Sequence, residues 1–271
     1  MPVYSLAHLT VLGCAPPQVV EIAARCGYAF VGLRTMPLGL PGEPRWALED
    51  NAQLFRQTRD ALRATGVRLL DIEDAIIAPD RDVESYAAAL ERGAALGAQH
   101  VLCNVWGDGS PGFVQDQFGR LCDLARPLGM RVQLEFVTFT AVATLAEAWA
   151  LVRDSGRGNA GVLIDALHFL RSEISFDEMS QVPANRCDYL QLDDGPPGPR
   201  PSLDEMKRVA RSERLHVGEG ASPIRQIVER LPGRPLAIEI IHAERVKQLG
   251  YEAFAAECLA RARAHLEGWA T

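Results

Sequence analysis

The chain has 271 residues, of which 48% are hydrophobic and 23% charged, and a formal net charge of −7. That length suits one large domain with a full core, and the acidic balance argues against broad contact with a nucleic-acid backbone. No run is long and apolar enough to span a membrane, and the N-terminus lacks a signal-peptide pattern. Cys14, Cys26, Cys103, Cys122, Cys187 and Cys258 form no CxxC pair, which points to reduced thiols and a cytoplasmic protein.

Val3–Leu9 reads as a first strand. Pro16 and Pro17 open a helix that Gly27 ends, because proline costs little in a first helical turn. Phe30–Arg34 is a second strand, followed by a loop rich in Pro37, Gly39, Pro41, Gly42 and Pro44. Leu48–Thr65 has helical spacing, and Val67–Glu73 is a third strand. Helix Val83–Leu96 leads to strand Val101–Asn104, and helix Val114–Leu128 to strand Val132–Phe136. Helix Thr144–Asp154 precedes strand Gly161–Asp165. A short helix near Phe176–Met179 follows, then strand Tyr189–Leu192 and the turn-dense loop Gly195–Pro201. Helices near Leu203–Ala210 and Pro223–Arg230, strand Leu236–Ile241 and helix Tyr251–His265 complete the chain.

Eight strands alternating with helices imply parallel pairing. Eight such units fit a closed (β/α)8 barrel, for which roughly 250 residues is usual, and residues 1–271 form one domain on this reading. The rival is an open doubly wound sheet, but no GxGxxG turn follows the first strand. In a barrel the active site lies at the carboxyl ends of the strands. Those ends read His8, Arg34, Glu73, Asn104, Glu135, Asp165, Gln191 and Glu239. One acid at a strand end is ordinarily a helix cap or a rim charge. Four at one mouth repel unless they share a proton or bind a cation, and oxygen donors suit a hard divalent ion.

The segments AHLTVL, VGLRTMP, LLDIED, QLEF, LIDALHF, YLQLDD, RLHVGEG and LAIEII, in this order and spacing, resemble the xylose isomerase-like TIM barrel superfamily, in the sugar phosphate isomerase/epimerase group. The resemblance implies one divalent metal held by Glu135, Asp165, Gln191 and Glu239. Gln191 stands where histidine is common. A glutamine carbonyl is a harder donor than imidazole, which shifts the expectation from zinc toward manganese or magnesium, with cobalt and zinc as the alternatives. The alternative for Gln191 is a barrel-lining amide with metal binding weakened or lost. His168 fits the Asp-x-x-His pattern and is expected to touch substrate. Arg214, before the Gly218-Glu219-Gly220 segment, and Arg200, in the preceding loop, are candidates for a substrate phosphate or carboxylate. The tight loop itself could offer backbone N–H groups to an anion. His8, Arg34 and Glu73 could define the far end of the substrate, or Arg34 and Glu73 could form a structural ion pair. Trp106 reads as core or pocket wall. Of Asp193 and Asp194, one should point inward and the other cap or face solvent.

The resemblance further implies aldose–ketose isomerisation or epimerisation of a small carbohydrate or polyol-derived substrate. A C–H beside a carbonyl is a weak acid, and a divalent ion on the oxygens stabilises the enediolate formed when it ionises. Glu135 and Glu239 would then move the proton, with His168 polarising a substrate oxygen. Two rival functions are a metal-dependent dehydratase acting on a cyclic polyol ketone or dehydroshikimate-like acid, and a barrel that binds a metabolite without turning it over. The abasic-site endonucleases of the superfamily need a His-rich metal cluster, and only six histidines are present. A homodimer is compatible with the loops after strands two and seven, which could cap a neighbour's site.

Overall fold

The computed structural model describes residues 2–39 and 43–267. Eight parallel strands close into a barrel in sequential order: β1 (Tyr4–Leu6), β2 (Phe30–Arg34), β3 (Arg68–Ile77), β4 (His100–Val105), β5 (Arg131–Glu135), β6 (Ala160–Asp165), β7 (Leu190–Leu192) and β8 (Leu236–Ile238). Closure is direct, since β1 pairs with β8 through Tyr4–Leu236, Ser5–Ala237 and Leu6–Ile238. Helices between the strands cover the outside, so both faces of every strand are buried. This is why the strands read as apolar runs with little alternation.

Strand periodicity explains where the polar residues fall. Phe30, Leu70, Leu102, Leu163, Tyr189 and Ala237 pack together as an apolar layer inside the barrel, distinct from the core between strands and helices. A strand returns to the same face every second residue. Two positions after Leu102 comes Asn104, after Leu163 Asp165, after Tyr189 Gln191, and after Ala237 Glu239. On β5, Gln133 leads to Glu135 in the same way. The polar ring therefore lies one layer above an apolar plug, at the carboxyl end of the barrel.

Several boundaries differ from the sequence reading. β1 stops at Leu6, and His8 opens a 3-10 turn (His8–Val11). β3 does not stop at Glu73 but continues to Ile77, pairing Ala75, Ile76 and Ile77 with Cys103, Asn104 and Val105. The helix expected from Leu48 begins at Ala52, where the Asn51 side chain accepts the Leu54 N–H at 2.9 Å. Two helices, Ala166–Arg171 and Ala243–Leu249, were not apparent from the sequence. The first starts directly at the end of β6, where Asp165 Oδ1 caps it by accepting the His168 N–H at 2.8 Å. All six cysteines are free thiols. Pro41 and Gly42 of the loop after β2 lie outside the described residues.

Candidate active site

A cavity of about 260 Å³ opens at the carboxyl end of the barrel. Its floor carries Asp74, Asn104, Glu135, His168, Arg214 and Glu239, and its walls are largely apolar. The organising group is Arg214, which is buried just beyond the amphipathic helix Leu203–Ser212. Its Nη1 lies 2.8 Å from Asp165 Oδ2, 2.6 Å from Asp193 Oδ2, 2.8 Å from Glu239 Oε2 and 3.2 Å from the Glu239 carbonyl oxygen. One terminal nitrogen has two hydrogens, so four oxygens share them. Burial opposes the Arg214 charge, but Asp165, Asp193 and Glu239 outweigh it and hold the guanidinium firmly protonated.

One cation does not balance the acids around it. Burial, reinforced by Asp165 and Glu239, pushes the Glu135 carboxyl well above the usual range. Burial also lifts Glu239, to about 8, despite the opposing pull of Arg214. Asp193 is raised by burial and by Asp165. All three hold protons more readily than ordinary carboxyls, and another cation joining them would oppose that. On the adjacent wall, Asn104 Nδ2 donates to Asp74 Oδ2 at 2.8 Å and to Glu135 Oε2 at 3.2 Å. Burial raises Asp74 to about 7, with Arg34 pulling the other way.

Two oxygens bear on cation binding. Glu135 Oε1 and Gln191 Oε1 are buried and have no hydrogen-bond donor among the described residues. A buried acceptor without a partner is costly, and a cation would satisfy both. Ligand atoms of Glu135, Asp165 and His168 lie within 4.8 Å of one another. Glu239 is committed elsewhere: Oε1 accepts from Gln191 Nε2 at 2.9 Å, and Oε2 from Arg214. The residues present thus fit a divalent ion through the unpartnered oxygens of Glu135 and Gln191, with Glu239 beside them and also Asp165, whose oxygens already accept from the His168 N–H and Arg214. His168 Nδ1 is 3.2 Å from Thr138 Oγ1, its Nε2 is 3.9 Å from Glu135 Oε1, and burial lowers its pKa to about 4. It is a neutral imidazole facing the cavity.

The remaining expected residues divide. Arg34 reaches the cavity, but its guanidinium pairs with Glu73 Oε2 at 2.9 Å and Glu43 Oε1 at 3.3 Å. The ion-pair reading of Arg34 and Glu73 is therefore the structural one. Glu73 Oε1 also accepts the His8 N–H at 3.2 Å, which leaves Glu73 no face toward a substrate. His8 has both ring nitrogens occupied: Nδ1 accepts from Arg34 N–H, and Nε2 donates to the Cys14 carbonyl, each at 2.9 Å. It braces β2 rather than touching the cavity. Arg200 is exposed and forms no part of the wall. The Gly218–Gly220 loop does not present its N–H groups to an outside anion. Asp194 takes them: Oδ2 accepts from Gly218 and Gly220, and Oδ1 from Gly195 and Ser222, at 2.8–3.1 Å. Asp193 points inward, to Arg214 and to the Leu167 N–H at 3.0 Å, so the pair splits as expected.

Trp106 walls the cavity, and Phe139 and Arg211 join it unforeseen. Asp74 was also missed; its only sequence signal is the Ala75-Ile76-Ile77 run, which shows that β3 continues.

Residues 20–254 match the sequence profile of the xylose isomerase-like TIM barrel family. The chain belongs to this family. Among curated relatives it is 23% identical over 208 residues to an inosose isomerase of Bacillus velezensis, a match spanning 71% of this chain and 72% of that one. It is 27% identical over 204 residues to a 3-dehydroshikimate dehydratase of Pseudomonas aeruginosa, spanning 71% of this chain but 30% of that longer one. Among solved structures, the IOLI protein with a bound zinc atom superposes with a TM-score of 0.82 at 18% identity, covering 99% of both chains. A D-allulose 3-epimerase from Methylomonas sp. gives 0.68 at 16% identity over 98% of both. At these identities the structural likenesses establish the shared fold.

Proposed function

We propose that the chain is a divalent-metal-dependent isomerase or epimerase of a sugar or keto-polyol, working by proton transfer beside a carbonyl. The observation that carries this reading is the pair of buried, unpartnered oxygens, Glu135 Oε1 and Gln191 Oε1: Glu135 lines the cavity and clusters with Asp165 and His168, and Gln191 is bonded to the cavity-lining Glu239. Glu135, Asp165, Gln191 and Glu239 would hold the ion, and their oxygen-rich donor set favours manganese or magnesium. Once bound, it would supply positive charge where negative charge develops on a substrate oxygen.

The chain's own residues supply the rest. Burial lifts the Glu239 carboxyl to about 8 and the Glu135 carboxyl well above the usual carboxylate range, so both hold a proton more readily than an ordinary glutamate, as a group that takes and returns a proton must. Asn104 and Gln191 orient them by donating to Glu135 Oε2 and Glu239 Oε1. Arg214 fixes Asp165 and Glu239 in place, and neutral His168 can donate a hydrogen bond without adding charge. Likeness to an inosose isomerase and to the fold of an epimerase supports this choice of reaction. In deuterium oxide with manganese present, the wild type should exchange the proton beside the carbonyl of an inosose or ketohexose. Glu135→Gln or Glu239→Gln should slow that exchange by about 100-fold or more. Full exchange in both variants would rule the two carboxyls out. The second reading, a dehydratase, is favoured by the match to the P. aeruginosa enzyme and is told apart by loss of one water in product mass.

A further inference from the structure

Three arginines line the cavity, and two are spent. Arg34 is neutralised by Glu43 and Glu73, and Arg214 by Asp165, Asp193 and Glu239. Arg211 differs. It belongs to the last turn of helix Leu203–Ser212, is exposed at the rim, and forms no ion pair among the described residues. Its guanidinium carbon lies 5.6 Å from the ring centres of both Trp106 and Phe139. Those rings meet edge to face at 6.3 Å, and Phe139 meets His168 in the same way at 5.7 Å. A continuous aromatic wall therefore runs from the imidazole at the floor to the cation at the rim.

The charges make this position informative. Every other cation of the cavity faces more carboxylates than it can balance, so an anionic substrate would be repelled from the floor. At the rim, the two rings hold a guanidinium in place without neutralising it and shield part of it from water. Its N–H groups stay free for a planar or tetrahedral anion, which arginine grips with paired charge-assisted bonds. Resting on the proposed enolising function, we infer that Arg211 is the anion-recognition residue of the site, and that the substrate is an anionic keto-polyol. Its carboxylate or phosphate stands at the rim while its ketone reaches Glu135 and His168.

Binding of unreactive polyols tests this without turnover. Shikimate carries a carboxylate, D-glucitol 6-phosphate a phosphate and myo-inositol no charge, and none has a carbonyl to enolise. Each is titrated calorimetrically into manganese-saturated wild type and into Arg211→Gln. One of the two anions should bind at least tenfold more tightly than myo-inositol, and which one it is names the anion. Arg211→Gln should weaken that anion by roughly 10- to 100-fold, the range of a charge-assisted hydrogen bond, and shift myo-inositol less than about twofold. The substitution is at an exposed position, so folding should be unchanged. Absence of binding by both anions, binding no tighter than myo-inositol, or a preference that survives in Arg211→Gln would each overturn the inference. The proposed enolisation fails separately, when the wild type with manganese exchanges deuterium into neither a neutral ketone, an inosose or ketohexose, nor an anionic one, a ketohexose 6-phosphate or 3-dehydroshikimate.

Discussion

At the scale of single residues, Arg214 shows how a strand-end pattern becomes a site. Asp165, Asp193 and Glu239 come from three segments distant in sequence, and one guanidinium gathers them. Removing one partner of a buried ionic group leaves the others uncompensated, which typically costs about 3–5 kcal/mol. Arg214→Met should therefore lower the urea midpoint substantially at pH 8. The loss should be smaller at pH 5, because the stranded carboxyls can then take up protons, and added manganese should restore part of it. An unchanged midpoint at pH 8 would mean that the guanidinium does not bind the three acids together. Sequence alone singled out Arg214, Glu135, Asp165, Gln191 and Glu239 because each stood at an apolar strand end or within a family segment. It could not find Arg211. An arginine on an amphipathic surface helix looks like any solvated charge until the fold brings Trp106 and Phe139 under it.

At the scale of elements, the clearest lesson is β3. The run Arg68–Ile77 has acids at three of its positions, Asp71, Glu73 and Asp74, and an acid normally marks the end of a buried strand. Here the strand continues because β4 pairs with it beyond the acids, and Arg34 on β2 and Asn104 on β4, the two neighbouring strands, bond to Glu73 and Asp74. Tertiary pairing overrode the local signal. The loop from His216 to Ser222 teaches the opposite: it looked open to a ligand, but the protein supplies its own anion. Asp194 accepts four backbone N–H groups, and a side-chain carbon on Gly220 would lie 2.1 Å from the Gly195 carbonyl oxygen. Asp194→Ala would leave those buried donors short of partners, at about 1–3 kcal/mol for each one water cannot reach. Hydrogen exchange should accelerate in residues 216–222, and the melting temperature should fall by several degrees. Because Arg214 immediately precedes this loop, metal affinity should fall as well. Unaltered exchange in that segment would show that Asp194 is not its organiser.

At the scale of the whole molecule, the barrel was legible because its period is coarse: eight apolar segments, each followed by a helix. The finer arrangement was not, because β7 and β8 are three residues each and lean on their neighbours for definition. Burial on both strand faces also has a consequence for stability against acid. His100 begins β4 at the end of the barrel opposite the cavity, its ring tilted against that of Tyr189 with centres 5.3 Å apart and its Nδ1 3.9 Å from Asp188 Oδ2. Burial lowers its pKa to about 4, with Asp188 pulling the other way. The unfolded chain binds the proton near pH 6.5, so between pH 6.5 and 4 it holds more protons than the folded one. Stability then rises with pH across that window and is lost as pH falls through it. For His100 the loss at pH 5 is about 2 kcal/mol relative to pH 7 and above. Buried carboxyls such as Asp71, raised by burial and by Glu73, act in the opposite sense, so the wild-type profile mixes both signs. A variant isolates the histidine. His100→Phe keeps the ring against Tyr189 but cannot titrate. Its unfolding free energy, measured with urea at pH 7 and pH 5, should fall by about 2 kcal/mol less than that of the wild type. Parallel losses in the two proteins would show that His100 is hydrated in the folded state and keeps its ordinary proton affinity.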